Sequence, residues 1–243
     1  MLLDTYQARV DQLFSEIKST QRENIITAGK MIADTIEAGG NIYLNDICHS
    51  IEMDLYNRGG GPLFYRVLHW KLDVMSDART RDRSDLDLDM EGLGAYVLKA
   101  SSIRPGDVLF VGSVSGRTKH VVDLAYEAKK MGIKVIAMSS MSYAKSVDPV
   151  HSSGKKLYEF VDLTLDNCAP AAEAMLEVEG IEARFAAASG LASSFILWTV
   201  TAVVLEELQK RGKTPHLLKS ANFPGGMEYN DTVVKPHYET YGY

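Results

Sequence analysis

The sequence predicts an α/β fold built on a doubly wound parallel sheet, and three observations indicate it. Short apolar runs alternate with amphipathic helical stretches from residue 41 onward, as expected for parallel strands joined by crossover helices. Residues 105–138 contain one complete strand–helix–strand unit, which is parallel and right-handed by default. The chain has 243 residues, of which 46% are hydrophobic and 24% charged, so it can bury a substantial core.

The first 38 residues predict a long amphipathic helix. Apolar side chains recur every three or four residues until Gly39 and Gly40 end the pattern. Such a stripe packs either on the rest of its own domain or on a second subunit, and the sequence leaves both open. Its members are Leu2, Tyr6, Val10, Leu13, Ile17, Ile25, Ala28, Ile32 and Ile36.

The remaining predicted elements alternate along the chain. The apolar run at 185–208 predicts a buried core helix rather than a membrane span, because serines and a glycine interrupt it and two glutamates end it. The other elements are strands at 42–44, 108–111, 134–138 and 159–165 and a helix at about 119–131.

These elements divide the chain into three parts. We expect an N-terminal helical extension at 1–38, the α/β domain at 39–212, and a C-terminal segment at 213–243 that is a candidate for lining the site. The charged run at 77–89 predicts a solvated surface loop of the kind that can close over a ligand.

Composition excludes several function classes. The formal charge of −6 argues against binding to nucleic acid or an anionic membrane. Cys48 and Cys168 form neither a disulfide framework nor a metal motif, and the histidines show no ligand spacing, so we expect no metal and no other cofactor. The N-terminus resembles no secretory signal, which favours the cytoplasm.

Two loops follow predicted strands where ligands bind in such sheets. The first covers 45–50, and the second covers 112–118. In the second, Ser113, Ser115 and Thr118 supply hydroxyls, Gly116 permits close backbone approach, and the next helix begins directly behind. This pattern favours a phosphate cradle over an ordinary capped turn.

Other phosphate-binding loops are excluded by their spacing. The loop has no Gly-Lys-Ser/Thr ending of a Walker A motif and lacks the glycine spacing of a dinucleotide-binding fingerprint. Arg117 could pair with phosphate or a sugar carboxylate. His120 begins the next helix, where it could assist the phosphate, although the sequence favours a solvated surface histidine. We expect Cys48 to be a buried spectator thiol.

The stretch 107–137 resembles the signature of sugar isomerase (SIS) domains. Shorter motifs, at 49–50, 58–61, 153–157, 166–170 and 220–230, are similar to a bacterial SIS subfamily of phosphosugar isomerase-like proteins. The resemblance runs from about residue 39 to residue 230. It implies a five-stranded parallel sheet, homodimers or higher oligomers with sites shared between subunits, and a phosphate held by Ser50, Ser113, Ser115 and Thr118.

The chain also departs from the phosphoheptose isomerase pattern. The histidine that those enzymes place on the last core helix is missing from 195–200. The subfamily's glutamate before the Arg-Gly-Gly segment has two counterparts, Glu52 and Asp54. Residues two apart cannot face one site, so at most one is the acid or base. His49 is a further candidate, because a histidine beside a phosphate loop can move protons.

The segment 220–230 predicts a surface loop, because it contains a proline and two glycines. Asn222 and Glu228 suit sugar hydroxyls and lie between apolar anchors, so we expect the loop either to fold over a sugar site or to stitch subunits together. In the first case Glu228 competes with Glu52 and Asp54 as the acid or base.

Two functions from different classes fit these residues. One is an aldose–ketose isomerase, or a related lyase or etherase, that acts on a phosphorylated sugar or amino sugar through an enediolate. The other is a non-catalytic SIS module that senses a phosphosugar, which the missing histidine favours. We favour the enzyme, with no cofactor.

Overall fold

The structure is a computed structural model that describes residues 1–73, 75 and 91–243. The charged run predicted at 77–89 lies outside the described residues. Five parallel strands form the main sheet, in the order β2-β1-β3-β4-β5. The strands are β1 (Ile42–Asn45), β2 (Tyr65–Val67), β3 (Val108–Gly112), β4 (Lys134–Ser139) and β5 (Leu163–Asp166).

The centre of the sheet is completely apolar. Every residue of β3 is buried, and Phe110 pairs in register with Leu44 on one side and Ile136 on the other. Continuous apolar strands of this kind are typical of parallel sheets that helices cover on both faces. The doubly wound α/β fold predicted from the sequence is therefore confirmed.

The helices cover both faces of this sheet. There are two apolar clusters, one on each face, and alternate side chains of the strands belong to one cluster or the other. The helices are α1 (Leu2–Thr20), α2 (Arg22–Glu37), α3 (Gly94–Ala100), α4 (Lys119–Lys130), α5 (Met141–Ser146), α6 (Ser189–Lys210), α7 (Gly226–Tyr229) and α8 (Lys235–Tyr241).

The predicted N-terminal helix is divided in two at Gln21. Its side chain is buried, and Gln21 Oε1 accepts a hydrogen bond of 3.1 Å from the amide of Asp166 at the end of β5. The break therefore turns a polar side chain inward, where it satisfies a strand amide that a continuous stripe would leave unpaired. The spacing of apolar residues alone therefore does not predict the helix break at Gln21.

The N-terminal helices pack on their own domain. Helix α2 lies along α6, and an added Cβ on Gly29 would come within 2.4 Å of Val203. On α1, the ring of Phe14 stacks on Phe195 of α6 with centroids 4.8 Å apart. Several core residues of α2 belong to the same cluster as β1 and β3. The division of the chain at residues 38 and 212 stays a prediction.

Helix α6 is the predicted core helix. Among the described residues, it alone is long and apolar enough to cross a membrane by length and composition. Its buried side chains, which include Ile196, Val200 and Val204, belong to the apolar core on one face of the sheet. A helix that is apolar around most of its circumference is expected in such a position.

Two features differ from the sequence prediction. A β-hairpin, β6 (Ala174–Val178) and β7 (Ile181–Ala187), precedes α6. The C-terminal segment is a loop only as far as Gly225, because residues 226–241 form a helical run with one π turn at Asn230–Val234. The wide turn lies just before Pro236, which has no amide hydrogen to donate within a regular helix.

Candidate functional site

The candidate site lies at the carboxyl ends of β1 and β3, which are neighbours in the sheet. The two loops singled out in the sequence both begin there. Their backbones touch, since an added Cβ on Gly112 would come within 2.8 Å of Ile47 Cα and 2.9 Å of Cys48 N. Because glycine has no side chain, the two loops can pack against each other at residue 112 and form one surface.

The loop after β3, which is the predicted cradle, forms a tight turn. The Gly116 amide donates to Ser113 O over 3.0 Å, and Gly116 has a φ of +64°, which favours glycine. The Ser113 and Thr118 hydroxyls are 2.8 Å apart. In the described part of the chain the Thr118 side chain caps no amide of α4, so it faces Ser113 instead of closing the helix end.

Neighbouring segments support this cradle from behind. The Ser139 hydroxyl donates to Ser113 O over 2.8 Å, and the Leu157 amide donates to Gly116 O over 2.8 Å. The 153–157 motif thus supports the loop. Ser115 and Arg117 are half-buried within it, and whether they hold phosphate stays a prediction.

The loop after β1 is strained. Asp46, Cys48, His49 and Ser50 all have positive φ, between +44° and +69°. Such a run of non-glycine residues costs free energy, and clusters of this kind occur at functional sites. Burial raises the pKa of the Cys48 thiol to about 12, so this cysteine is the spectator that the sequence favoured.

A cavity of about 370 Å³, lined mainly by polar and charged residues, opens beside the loop after β1. Ser50 and Glu52 line it, together with residues that sequence reasoning did not select. The additional residues come from the end of β1, the segment after β2 and the first turn of α4. They are Asn45, Asp46, Leu68, His69, Trp70, Lys71, Leu72 and His120.

Glu52 and Asp54 face different directions, as their spacing predicts. Glu52 is buried at 4% exposure and lines the cavity, where its Oε2 accepts a hydrogen bond of 2.8 Å from the Ile47 amide. Burial raises the pKa of this carboxyl above its ordinary value. A carboxyl of this kind is protonated more readily than an exposed one, which suits a group that accepts a proton and returns it.

Asp54 instead faces α6. Its Oδ2 accepts from the Ser194 hydroxyl over 2.7 Å and from Trp198 Nε1 over 3.2 Å, and Arg58 pairs with its other oxygen. The Ser194 hydrogen bond, with help from Trp198 and Arg58, lowers the pKa of Asp54. It lines a separate groove, together with Phe14. A catalytic role for Asp54 stays a prediction.

His49 lies at the base of the β6–β7 hairpin. Its Nε2 donates to Glu173 Oε1 over 3.3 Å, while Glu173 Oε2 accepts from the Ser189 hydroxyl over 3.0 Å. The His49 side chain is 71% exposed. The structure therefore orients His49 toward the hairpin, and its role in proton transfer stays a prediction.

His120 differs from the solvated histidine expected from the sequence. Only 28% of its side chain is exposed, and its Nε2 donates to Asp46 Oδ2 over 3.3 Å. The Trp70 ring meets it edge-on, with centroids 6.2 Å apart. Tertiary neighbours distant in sequence therefore bring His120 into the cavity. Its place in the first turn of the helix that follows the cradle was the available signal.

The C-terminal candidates lie elsewhere in the subunit. Asn222 lines a groove formed with Gly59, Gly60 and Phe223, and Glu228 is exposed on α7. The groove arises because backbone around Ser220 packs directly on Gly59, where an added Cβ would stand 2.9 Å from Ser220 N. Sugar contacts by these two residues stay predictions.

The described residues, 1–73, 75 and 91–243, contain no group of three or more histidine, cysteine or acidic side chains that could hold a metal ion.

The comparisons with known proteins agree with this architecture. The family model of the SIS domain matches residues 5–140. A UPF0309 protein of Shouchella clausii is 30% identical over 97% of this chain and 96% of its own length. One from Streptomyces avermitilis is 34% identical, with 93% and 90% covered.

Solved structures show the same fold at low identity. Phosphoheptose isomerase GmhA from Neisseria gonorrhoeae has a TM-score of 0.54 and 17% identity, covering 83% of this chain and 96% of that one. A phosphoheptose isomerase from Francisella tularensis has a TM-score of 0.52 and 16% identity, covering 83% and 95%. With a family model over more than half of its length and relatives of 30% identity or more along nearly all of it, this chain belongs to the SIS domain family and, within it, to the UPF0309 proteins.

Proposed function

We propose that this protein binds a phosphorylated sugar or amino sugar and isomerises it between aldose and ketose through an enediolate. One observation carries the proposal: Gly112 and Ile47 lie in backbone contact, which joins the hydroxyl-rich loop to the loop that leads to Glu52. A phosphate grip and a buried carboxyl thus lie at one edge of the sheet. The solved SIS structures include two named as phosphoheptose isomerases.

The phosphate is bound by the loop after β3. Ser113, Ser115 and Thr118 donate hydroxyl hydrogen bonds, the backbone around Gly116 approaches the phosphate closely, and the positive end of α4 stabilises its charge. Ser50 completes this group from the loop after β1, which packs on the loop after β3 at Gly112. Arg117 supplies a guanidinium group from within the loop, which can pair with the phosphate.

Glu52 is the base that removes the proton from the carbon beside the carbonyl. As a carboxylate it accepts the proton, and its buried position makes the protonated form stable enough to return it to the neighbouring carbon. The Ile47 amide fixes the carboxyl orientation while this happens. No metal or organic cofactor is needed for this chemistry.

The same proposal includes a homodimer or tetramer in the cytoplasm. Apolar side chains exposed on the subunit surface, among them Leu191, Phe223 and Met227, support subunit contacts. Asn222, Glu228 and His49 would meet a sugar across such a contact, whereas Asp54 is the rival to Glu52 as the base. Both cysteines are free thiols, which suits a reducing compartment, and the net charge of −6 disfavours nucleic acid or an anionic membrane as a partner.

The test uses a panel of hexose, pentose and amino-sugar phosphates. Each is screened for thermal stabilisation of the protein and then incubated with it in deuterated water. NMR reports deuterium at the carbon beside the carbonyl, which an enediolate intermediate requires. Stabilisation without exchange would identify the sensing module instead, and neither effect on any phosphosugar would refute both functions.

A further inference from the structure

Aldose–ketose isomerisation moves two protons. One moves between the two carbons, which is the task proposed for Glu52, and the other moves between the two oxygens. We propose that His120 carries the proton between the oxygens and that Asp46 positions its ring. This inference rests on the proposed function and adds the second acid–base group of the same cavity.

Sheet topology brings the two residues together from distant parts of the chain. Asp46 directly follows β1, and His120 is the second residue of α4, which follows β3. Because β1 and β3 are neighbours, the loop end and the helix start meet. His120 Nε2 lies 3.3 Å from Asp46 Oδ2, and both residues line the cavity that Glu52 and Ser50 also line.

Asp46 is held in an unfavourable backbone conformation to make this contact. Its φ of +46° lies in the left-handed region, which a non-glycine residue occupies only at a cost in free energy. Aspartate tolerates this region better than most residues. The strain therefore occurs at the residue whose carboxylate meets the histidine.

The surroundings of the pair keep the Asp46 carboxyl ionised beside the His120 ring. The hydrogen bond from His120 is the largest influence on the pKa of Asp46 and lowers it, with smaller contributions from His49 and His69. Burial raises the pKa of Glu52 in the same cavity, and the Asp46 charge adds to that rise. Two neighbouring carboxyls whose pKa values shift in opposite directions are typical of an acid–base site. One stays a carboxylate, and the other can exchange its proton.

The other histidines near the cavity are placed less well. His49 Nε2 is taken by Glu173, and its side chain is mostly exposed. His69 is exposed and has no hydrogen-bond partner among the described residues that would fix its ring. His120 combines a carboxylate partner, a half-buried ring and a Trp70 contact.

The proton balance is complete within the cavity. As Glu52 takes the proton from the carbon beside the carbonyl, the imidazolium of His120 gives its Nδ1 proton to the carbonyl oxygen, and an enediol forms. The neutral ring then takes the proton of the neighbouring hydroxyl at Nδ1, while Glu52 returns its proton to the other carbon. The Nε2 proton stays on His120 throughout and is hydrogen-bonded to the Asp46 carboxylate. Glu52 and His120 both end in the protonation state in which they began.

The test measures isomerisation with defined probes, the pair glucose 6-phosphate and fructose 6-phosphate and the pair arabinose 5-phosphate and ribulose 5-phosphate. We expect His120→Gln to lower kcat about 100-fold, a common effect of losing one acid–base group, with KM within about twofold. Asp46→Asn lowers kcat about 10-fold with KM within about twofold, because the ring loses the carboxylate that orients it. Asp231→Asn, which alters a surface ion pair with Lys235, is the matched control.

The outcomes separate this inference from the function on which it rests. If the unaltered protein isomerises a probe while His120→Gln keeps its kcat and pH profile, the proton-carrier role is wrong and the isomerase proposal stands. If the unaltered protein converts none of these probes and none of the hexose, pentose and amino-sugar phosphates of the wider panel, both proposals fall. Should Asp46→Asn not fold, His120→Gln alone decides, since its partly exposed ring can be replaced without opening the core.

Discussion

The Cα of Ile47 lies so close to Gly112 that a Cβ added to the glycine would stand 2.8 Å from it. Real side chains do not tolerate that separation, so Gly112→Ala must move the loop after β1 away from the loop after β3. We expect the free energy of unfolding of this variant to be lower by about 1–3 kcal/mol, the usual cost of overpacking. We also expect it to lose phosphosugar binding.

Gly190→Ala is the control for this prediction. A Cβ at residue 190 would meet Ile51 at 3.6 Å, which is an ordinary contact. Chemical denaturation and thermal shift with phosphosugars compare the two variants. Equal stability and equal ligand response in both would show that the two loops do not depend on each other.

Ser115→Ala tests the phosphate cradle. Losing one hydrogen bond to a charged group should weaken phosphosugar binding by about 1–3 kcal/mol. Ser146→Ala provides the comparison, because that hydroxyl donates only to a carbonyl of its own helix, Tyr143 O, and is exposed. Calorimetric titration measures both. Unchanged affinity in a folded Ser115→Ala protein would remove this hydroxyl from the phosphate grip.

The sequence predicts the strands whose apolar runs are long enough to show a pattern. The apolar runs alone predict four strands, although their ends differ from the observed ends by a few positions. These are β1, β3, β4 and β5. Strand β2 does not, since it has three residues, Tyr65–Val67, and a central arginine. Its pairing with β1 depends on tertiary contacts, which override so short a local signal. The SIS resemblance supplied the fifth strand instead.

The site is predicted in part for the same reason. Loops and hydroxyls are local features, so the cradle around Ser113 and Thr118 can be expected from their spacing. The contact between Asp46 and His120 joins residues 74 positions apart, and Trp70 reaches His120 from a segment for which no element was predicted. Geometry of that kind follows from strand order and not from a local motif.

Asp54 contributes to stability in a pH-dependent way. The Ser194 hydroxyl, followed by Trp198 and Arg58, lowers its folded-state pKa. The stabilisation is therefore present above the unfolded pKa of about 3.9 and is lost as pH falls through the folded value. Ser194→Ala should lower the free energy of unfolding by about 1 kcal/mol at pH 7, and this difference should shrink below pH 4.

Denaturant titrations across pH measure this effect, with Ser146→Ala again as the control. A difference that stays constant from pH 7 to pH 3 would show that Ser194 acts by packing and not through the Asp54 charge. Asp54→Asn should also lose the contact with Arg58, while keeping the exchange reaction if Glu52 is the base.

Glu52→Gln tests the proposed base and has opposite effects on activity and stability. Without a carboxylate the enediolate cannot form at its usual rate, so deuterium exchange should fall at least 100-fold, while the glutamine oxygen can still accept from Ile47 N.

Burial raises the folded-state pKa of Glu52, so its ionisation opposes folding above that value. The variant should therefore be at least as stable as the unaltered protein at pH 7. The difference should vanish below an unfolded pKa of about 4.3, where the carboxyl is protonated in both states.

Asp54→Asn is the matched variant, since it also changes one carboxylate to an amide two residues away. It should keep exchange and lose stability at pH 7, because the folded-state pKa of Asp54 is lowered and not raised. NMR exchange assays and denaturant titrations on both proteins give four measurements. Exchange that survives in Glu52→Gln and disappears in Asp54→Asn would transfer the role of base to Asp54, and with it would move the reacting carbon from the polar cavity to the groove beside α6.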